Sequence, residues 1–499
     1  MESRTTTGGD NRVSNATIEY FLDGGTYVAP PTSLADVVVD LMSTSDSGTL
    51  DTDNITNITL PTVTVYLTGK TLIAGHILQV IDTSYSNAVV GTYTIIAQDA
   101  SGLASKDIKL SNLSGGAHAL KAQFSTSSGT LGTPSTTATT VMVDTTVPTT
   151  TISALTLSAD TGTSGTDFIT KTASQTISGT LSAVTVAGEV VKVSIDNGTT
   201  WMTATNTIGQ NSFSVSGVTL TGSNTLKVQV EDAAGNASTA KSQVYVLDTT
   251  SPGVSTVTDG TAASVTKDAI TFTVTFDEAV VGTVGTSSFT ATNGTVNSVT
   301  SAGGNAYTVV VSPTVGMASG NVALSLVGTG LTDAAGNTVV SANLSGKDSQ
   351  GIDTLAPTTT VSGLVLSADT GTSGTDFITK TALQTISGTL SAVTVAGDVV
   401  KVSLDNGATW TTATNIIGEN SFSMPGVTLT GSNTLKVQVE DAAGNVGVAT
   451  SQAYVLDTVV PTTTISTLVF SADTGTISTD FITKTASQTI SGTLSAVTV

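Results

Sequence analysis

Pairs of aspartates with a fixed spacing are the residues of this sequence that could do chemistry. The second Asp of each pair follows the first by seven residues, and the pairs are Asp46 with Asp53, Asp160 with Asp167, Asp369 with Asp376, and Asp473 with Asp480. Carboxylate oxygens are hard ligands, which suit calcium rather than zinc or copper. Asp is also a favoured turn former, so the same residues could do no more than close a loop through Asx turns.

A protease motif overlaps one of these pairs. Asp160 opens the sequence Asp-Thr-Gly-Thr-Ser, and the same five residues recur from Asp369. This is the active-site motif of aspartic proteases, in which carboxylates from two facing lobes share one proton. Here a unit of different sequence separates the two copies, a third copy begins at Asp473, and Asp46-Ser47-Gly48 stands at the same place in the first unit. We therefore predict no catalytic residue and interpret the motif as a turn or an ion site.

The balance of charge excludes several classes of partner. The chain has 37 acidic and 16 basic residues, and its formal net charge of −21 repels phosphate backbones and anionic lipid headgroups. Nucleic acid is therefore not an expected partner, whereas divalent cations are.

The absence of Cys and the presence of only two His exclude disulfides, thiolate sites and clustered imidazole ligands. No run of 18 apolar residues occurs, so we expect no membrane insertion of this segment.

A long internal repeat organises the chain. Residues 148–248 and 357–457 align without a gap and are identical at 84 of 101 positions, and a third copy begins at Pro461 and stops at Val499. We expect the sequence to be a fragment of a longer repeat protein. Each unit ends in the pattern Asp-Thr-x-x-Pro, which is interpreted as a domain junction. The junction prolines are Pro148, Pro252, Pro357 and Pro461.

Within a unit, apolar and polar residues alternate with the period of two that is typical of β-strands. In the second unit, Asp196-Asn197-Gly198 is predicted as a hairpin turn. The predicted strands of that unit are 151–157, 168–181, 190–195, 213–220, 226–230 and 242–247. This is close to the roughly seven strands of an immunoglobulin-like sandwich. The predicted fold class is all-β, with tandem immunoglobulin-like β-sandwich domains arranged as beads on a string.

The junctions predict four full domains and a truncated repeat. The predicted boundaries are 1–31 for the tail of a preceding unit or a disordered segment, 32–147 for domain 1, 148–251 for domain 2, 252–356 for a divergent domain 3, 357–460 for domain 4, and 461–499 for the truncated repeat. Domain 4 is a near copy of domain 2. Domain 3 differs in sequence, but its predicted strands at 270–276, 307–311 and 322–327 fit the same plan.

The sequence Asp-Ala-Ala-Gly-Asn before a last strand, followed by Asp-Thr-Thr-x-Pro at the junction, resembles the bacterial immunoglobulin-like repeats of giant surface adhesins. The resemblance covers residues 32–499. It implies the stalk of a biofilm-associated or host-cell adhesin that is exported by type I secretion to the cell surface or beyond. It also implies a stalk that calcium often stiffens. Similar modules are appended to secreted enzymes.

Immunoglobulin topology predicts where the acidic residues meet. The loop between the first two strands lies at the C-terminal end of a domain, and the loop before the last strand lies at the N-terminal end of the next domain. Each junction should therefore collect carboxylates from two domains and their linker. The predicted metal-binding sets are Asp46, Asp53, Asp144 and Asp232; Asp160, Asp167, Asp248 and Asp333; Asp369, Asp376 and Asp457; and a weaker set of Asp268, Asp353 and Asp441.

Carboxylates gathered in this way repel one another unless a cation neutralises them. Our hypothesis is that calcium fixes the angle between domains and binds at roughly 10⁻⁴ to 10⁻³ M, as it does in extracellular modules. The predicted function is a non-catalytic stalk of a cell-surface or secreted adhesin. Its partners are the neighbouring repeats and an unknown receptor that binds outside this segment.

Two other functions stay open from the sequence. One is a module that binds glycans or proteins through Trp201 or the first domain, and the other is a set of accessory repeats of a secreted hydrolase. A single Trp after a hairpin, such as Trp201 or Trp410, is more often a core residue than a sugar platform. His76 and His118 occur only in the first domain, and we expect them at the surface or in turns.

Overall fold

The computed structural model describes residues 32–496, which contain β-strands, turns and three short 3-10 helices. The 3-10 helices are Thr83–Tyr85, Asp99–Ser101 and Thr286–Ser288. No α-helix occurs among the described residues, so the predicted all-β class is confirmed. The tail predicted over 1–31 lies outside the described residues.

The chain divides into two compact units. The first runs to Ser251 and also takes in Thr332–Thr338, and the second comprises Pro252–Leu331 and the chain from Val339 onward. Thr332–Thr338 contains the Asp-Ala-Ala-Gly-Asn sequence of domain 3. This segment therefore groups with the end of domain 2. The predicted domain boundaries stay predictions.

Domain 1 consists of a three-stranded and a five-stranded sheet around one core. Its strands are β1 (Val39–Leu41), β2 (Ile55–Thr56), β3 (Thr62–Tyr66), β4 (Ile77–Asp82), β5 (Ala88–Thr94), β6 (Ser105–Lys109), β7 (Gly116–Ser125) and β8 (Thr139–Val143). The sheet orders are β1-β3-β6 and β2-β8-β7-β4-β5. β2 pairs in parallel with β8, and the other pairs are antiparallel.

Domain 2 has a four-stranded and a five-stranded sheet. Its strands are β9 (Ile152–Leu157), β10 (Ile169–Thr170), β11 (Ser174–Leu181), β12 (Val190–Ser194), β13 (Met202–Thr203), β14 (Thr205–Asn206), β15 (Ser212–Thr219), β16 (Asn224–Glu231) and β17 (Lys241–Leu247). The sheet orders are β14-β15-β11-β9 and β10-β17-β16-β12-β13.

Domain 3 follows the same plan with a longer edge strand. Its strands are β18 (Val254–Asp259), β19 (Val265–Thr266), β20 (Ile270–Phe276), β21 (Phe289–Thr292), β22 (Gly294–Gly303), β23 (Ala306–Pro313), β24 (Gly320–Leu326), β25 (Ala342–Asn343) and β26 (Gln350–Ile352). One sheet has the order β18-β20-β23-β22, and the other has the order β19-β26-β24-β21 with β25 on β24.

Domain 4 repeats the two sheets of domain 2. Its strands are β27 (Val361–Leu366), β28 (Ile378–Thr379), β29 (Leu383–Leu390), β30 (Val399–Ser403), β31 (Thr411–Thr412), β32 (Thr414–Asn415), β33 (Ser421–Thr428), β34 (Asn433–Glu440) and β35 (Thr450–Leu456). The sheet orders are β27-β29-β33-β32 and β28-β35-β34-β30-β31. In the last repeat, β36 (Ile465–Phe470) pairs with β37 (Ile490–Leu494).

The alternating sequence pattern explains the cores. In β16 the buried residues are Leu226, Val228 and Val230, and the residues between them are only partly buried. They pack with Val191 and Val193 of β12 in one apolar cluster per domain. Fully burying one such side chain stabilises a fold by about 1.5 to 3 kcal/mol.

The strand predicted over 168–181 is two strands in the structure. β10 pairs in parallel with β17 in one sheet, whereas β11 pairs with β9 and β15 in the other. The chain therefore changes sheets between Thr170 and Ser174, although the β-type residue pattern continues through the crossing. Phe168, the residue that follows the acidic pair Asp160 and Asp167, directly precedes β10.

The two histidines are buried, so the expected surface position is wrong for both. The expected turn is found at His76, whose N–H donates to the Ile73 carbonyl at 3.1 Å, and not at His118, which lies in β7. His76 is 5% exposed and His118 is 2% exposed. His118 Nδ1 lies 2.6 Å from Asp82 Oδ2, and its Nε2 lies 2.8 Å from the Ser114 carbonyl oxygen. Because both ring nitrogens have a partner, the imidazole of His118 is buried without losing its hydrogen bonds.

Candidate metal sites at the domain junctions

The acidic loop of domain 1, residues 46–53, leaves one carboxylate oxygen buried without a partner. Asp46 Oδ2 accepts a hydrogen bond from the Asn54 backbone N–H at 3.0 Å, and Asp53 Oδ1 accepts one from the Ile55 N–H at 3.0 Å. The second bond is the Asx turn that the sequence predicts as an alternative. Asp46 is 6% exposed, yet its Oδ1 has no hydrogen-bond partner. Buried polar atoms are rarely left in this state, so the loop is suited to a further ligand.

The same loop recurs in domain 2, domain 4 and the last repeat. In domain 2, Asp160 Oδ2 accepts from the Phe168 N–H at 3.0 Å and Asp167 Oδ1 accepts from the Ile169 N–H at 3.0 Å. The Oδ1 atoms of Asp160, Asp369 and Asp473 are buried and unpartnered, like that of Asp46. Seven-residue spacing therefore encodes one local geometry in all four copies.

Backbone strain accompanies this geometry. The residue after the second Asp has a positive φ angle, which is 57° at Asn54, 64° at Phe168 and 67° at Phe377. A positive φ is common for Asn but is an outlier for a bulky residue such as Phe. Such strain costs about 1 to 3 kcal/mol and persists only where the surroundings impose it.

Burial and like charge oppose ionisation of the first Asp of the loop. The pKa of Asp46 is raised from its usual 3.8 mainly because burial removes water from the carboxylate, and the charge of Asp53 adds to the effect. The pKa of Asp160 is raised for the same reasons, with Asp167 as the charged neighbour. A bound cation would offset both causes at once.

A second loop, Asp-Ala-Ala-Gly-Asn, brings further oxygens to the first junction. We call each copy a docking loop, and the copies are residues 232–236, 333–337 and 441–445. Asn236 Nδ2 donates to the Asp144 carbonyl oxygen at 2.9 Å and to Asp232 Oδ2 at 3.0 Å. The docking loop of domain 2 also contacts the acidic loop of domain 1, because Ser47 Oγ donates to the Ala234 carbonyl at 2.5 Å.

The docking loop at 333–337 makes the corresponding contacts with the acidic loop of domain 2. Thr161 Oγ1 donates to the Ala335 carbonyl at 2.9 Å, and Lys171 Nζ donates to the Gly336 carbonyl at 2.6 Å. Gly162 is required at this contact, since a Cβ there would lie 2.3 Å from the Ala334 carbonyl oxygen.

The same docking loop holds the linker residue Asp248 close to Asp333, the first residue of the loop. Asn337 Nδ2 donates to the Asp248 carbonyl at 2.8 Å and to Asp333 Oδ2 at 2.7 Å. One carboxylate oxygen each of Asp248 and Asp333 lies within 4.8 Å of the other. Asp333 is 2% exposed and Asp248 is half-buried, so one carboxylate of this pair is withdrawn from bulk water.

The predicted acidic sets are thus present as pairs and not as compact clusters of four. In residues 32–496, no predicted set of four has all of its ligand oxygens within 4.8 Å of one another. Asp46 adjoins Asp53, Asp160 adjoins Asp167, and Asn236 bridges Asp144 to Asp232. Each docking-loop Asn amide joins the backbone carbonyl of a junction Asp to the carboxylate of its own loop.

The third set and the weaker set are more open. Asp268 is exposed, while Asn445 Nδ2 donates to the Asp353 carbonyl at 3.0 Å and to Asp441 Oδ2 at 2.9 Å. In domain 4, Asp369 is half-buried, whereas Asp376 and Asp457 are exposed.

Sequence reasoning missed the role of the docking-loop asparagines. Asn236, Asn337 and Asn445 each bond to the carbonyl oxygen of a junction Asp and to the carboxylate of their own loop. Their recurrence in three domains was the available signal. Asn is so common in turns that composition alone assigns it no contact across a junction.

Other singled-out residues have local roles. Asp196 accepts bonds from the Thr200 hydroxyl and backbone N–H and from the Ser194 hydroxyl, which lower its pKa to about 2. Half-buried Trp201 donates from Nε1 to the Gly198 carbonyl at 3.1 Å, so it covers the hairpin instead of filling the core. The two Asp-Thr-Gly-Thr-Ser copies belong to different compact units, and each first Asp is bonded within its own loop.

Family models match most of the described chain. A model of a bacterial Ig-like domain matches residues 146–249 and 355–458, and a second model with the same description matches 248–352. None of the curated proteins matches the chain. No helix within residues 32–496 is long and apolar enough to cross a bilayer.

Solved structures with tandem domains are similar at low identity. A three-immunoglobulin-domain fragment of titin is 8% identical, covers 58% of this chain and 94% of its own, and has a TM-score of 0.27. Fibronectin(III)-like modules of Clostridium thermocellum CbhA are 15% identical, with 42% and 94% covered and a TM-score of 0.27. Invasin, a bacterial integrin-binding protein, is 13% identical, with 87% and 81% covered and a TM-score of 0.28. The family models, and not these distant structures, identify the domains.

Proposed function

Because the chain belongs to the bacterial Ig-like domain family through residues 146–352 and 355–458, we propose that it is a stalk segment which calcium stiffens at its domain junctions. The stalk is non-catalytic and extracellular, and it holds an adhesive module of a surface or secreted adhesin away from the cell. Tandem bacterial Ig-like domains supply the spacing. The acidic loops supply the response to calcium.

One observation carries the proposal. Asp46 Oδ1 is buried, unpartnered and next to the second carboxylate of its loop, at the place where Ser47 contacts the docking loop of the next domain. A buried carboxylate oxygen without a donor costs free energy unless a ligand satisfies it. Asp160 Oδ1 repeats the arrangement beside Thr161, which contacts Ala335.

The available donor atoms fit calcium. Calcium takes 6 to 8 oxygens from carboxylates, carbonyls, amides and water at about 2.3 to 2.6 Å. At the first junction, Asp46 and Asp53 would hold the ion in the acidic loop, beside the contact that Ser47 makes with the docking loop of the next domain. Bound calcium would neutralise the carboxylates and restrain the two loops relative to each other.

Small-angle scattering of the whole chain in calcium and in EDTA tests the proposal. We expect a larger radius of gyration in calcium, because restrained junctions bend less. The variant Asp46→Asn with Asp160→Asn should lose most of this difference. Asp36→Asn with Asp40→Asn is the matched control, since it removes two charges from exposed carboxylates of domain 1 outside the acidic loop. Scattering curves that superimpose in calcium and EDTA would rule out calcium stiffening and leave a passive spacer.

A further inference from the structure

The junction between domains 3 and 4 lacks the feature that makes the other acidic loops candidates for calcium. Each of the four acidic loops has a buried Oδ1 atom without a partner, and no such atom occurs among the described residues of domain 3. There, Asp259 Oδ1 accepts from the Thr261 N–H at 2.9 Å, and Asp348 Oδ2 accepts from the Asp259 N–H at 2.7 Å. The carboxylates of Asp259 and Asp348 are therefore satisfied by backbone donors.

An open cavity lies beside the docking loop at this junction. It has a volume of about 510 Å³, and its polar lining includes Ser264, Asn321, Ser349 and Asp353, with Ala442 and Ala443 of the docking loop on one side. Asp353 is the one carboxylate in this lining, and its Oδ1 already accepts from the Leu355 N–H at 3.0 Å. Calcium needs several anionic oxygens, so one occupied carboxylate and neutral hydroxyls are a poor ligand set.

Contacts that need no metal hold the docking loop instead. Lys267 Nζ donates to the Gly444 carbonyl, and Asn445 Nδ2 donates to the Asp353 carbonyl at 3.0 Å. Lys171 makes the equivalent contact with Gly336 in the first compact unit, where it accompanies a complete acidic loop. In domain 3, the Lys267 ammonium group makes this contact without an acidic loop beside it. The positive charge at this junction therefore comes from a lysine side chain.

We propose that the junction between domains 3 and 4 is a calcium-independent joint in a chain whose acidic-loop junctions respond to calcium. The inference rests on the proposed function, because it distinguishes one junction from the others. Removing calcium would loosen domain 1 relative to domain 2 and leave the contacts of Lys267 and Asn445 unchanged. The order of domain types along the stalk would then decide where it softens.

Spin-label distance measurements on the whole chain test this joint directly. The chain has no Cys, so pairs of labels can be placed without removing native residues. One pair, Lys109→Cys with Ser216→Cys, spans domains 1 and 2, and the other, Thr271→Cys with Ser451→Cys, spans domains 3 and 4; all four positions are exposed. We expect calcium to narrow the first distance distribution, EDTA to widen it, and the second distribution to be the same in both.

The outcomes separate the joint from the proposed function. If both distributions respond to calcium, the joint is disproved while calcium stiffening stands. If neither responds, or if only domains 3 and 4 respond, both ideas fail. Lys267→Gln gives a second readout, because it should broaden the second distribution equally in calcium and in EDTA. Broadening that calcium reverses would overturn the joint.

Discussion

The acidic loops of domains 2 and 4 have identical sequences and different surroundings. Residues 160–167 and 369–376 match at every position, and the first Asp of each has an unpartnered buried Oδ1. Asp167 and Asp248 are half-buried beside the docking loop at 333–337, whereas Asp376 and Asp457 are exposed. The unpartnered oxygen is thus a property of the loop itself. Withdrawal of the other carboxylates from water depends on the docking loop.

The comparison implies that half of each candidate site is present in a single domain. The loop fixes the Asp pair through its own backbone, so this half forms wherever the sequence occurs. The docking loop then adds a buried Asp and a bridging Asn. We therefore expect tighter calcium binding at 160–167 than at 369–376.

Removing the bridging amide should have the largest effect. Asn337→Ala deletes donors to the Asp248 carbonyl and to Asp333, whose side chain is 2% exposed. Leaving buried acceptors unpaired costs about 1 to 3 kcal/mol. Hydrogen exchange should become faster at the amides of Phe168 and Ile169 and stay unchanged at Phe377 and Ile378. Equal acceleration in both loops would show that the docking loop does not account for their difference.

A matched pair of glycine substitutions sharpens the same comparison. An added Cβ at Gly162 would lie 2.3 Å from the Ala334 carbonyl of the docking loop and 3.0 Å from the Ile169 carbonyl. At Gly371 it would meet only its own domain, with the Ile378 carbonyl at 2.8 Å. Overpacking costs about 1 to 3 kcal/mol, so Gly162→Ala should destabilise its domain by both contacts and Gly371→Ala by one. Chemical denaturation of the two variants measures the difference, and equal losses would contradict it.

The effect of Asp160→Asn on the stability of domain 2 should change sign between EDTA and calcium. In EDTA the substitution should stabilise domain 2 modestly, because the folded state raises the pKa of Asp160 and so disfavours its ionised form. Metal-free wild-type protein should likewise gain stability as pH falls from neutrality through that raised pKa. At calcium ten times its Kd, the variant should lose about 1.4 kcal/mol of ligand stabilisation. Thermal unfolding in both buffers measures this, and an effect of one sign throughout would argue against a metal ligand.

Replacing Asp196 and Asp405 should have a smaller effect on stability at acid pH, and the effect should be the same in domains 2 and 4. Hydroxyl and backbone donors lower the pKa of each to about 2. Their stabilising contribution is present above the ordinary pKa of about 3.8 and is lost as pH falls towards 2. Asp196→Asn with Asp405→Asn should therefore flatten the acid limb of the unfolding curve between these values. A limb as steep as that of the wild type would exclude these carboxylates as its cause.

The sequence predicts the fold well where a single rule dominates. Alternation places 270–276 on β20 without error, because every second residue of that strand faces the core. It fails over 168–181, where the chain crosses between sheets while its residues still favour strands. Periodicity reports which face is buried and carries no information about which sheet a strand joins.

Part of the candidate site could be predicted, and part required coordinates. The spacing of Asp160 and Asp167 indicates a shared loop, and topology indicates which loops meet. The bridging amide of Asn337 and the unpartnered Oδ1 of Asp160 depend on side-chain directions within the folded loops. Burial of His118 was missed for a similar reason, since its partner Asp82 lies on another strand.

A crystal structure of the chain grown in saturating calcium, with anomalous scattering to identify the ion, tests the central claim most directly. The account predicts an ion within about 2.3 to 2.6 Å of Asp46 Oδ1 and of Asp160 Oδ1. If both oxygens remain without a metal ligand under those conditions, calcium does not organise these junctions and the account is wrong.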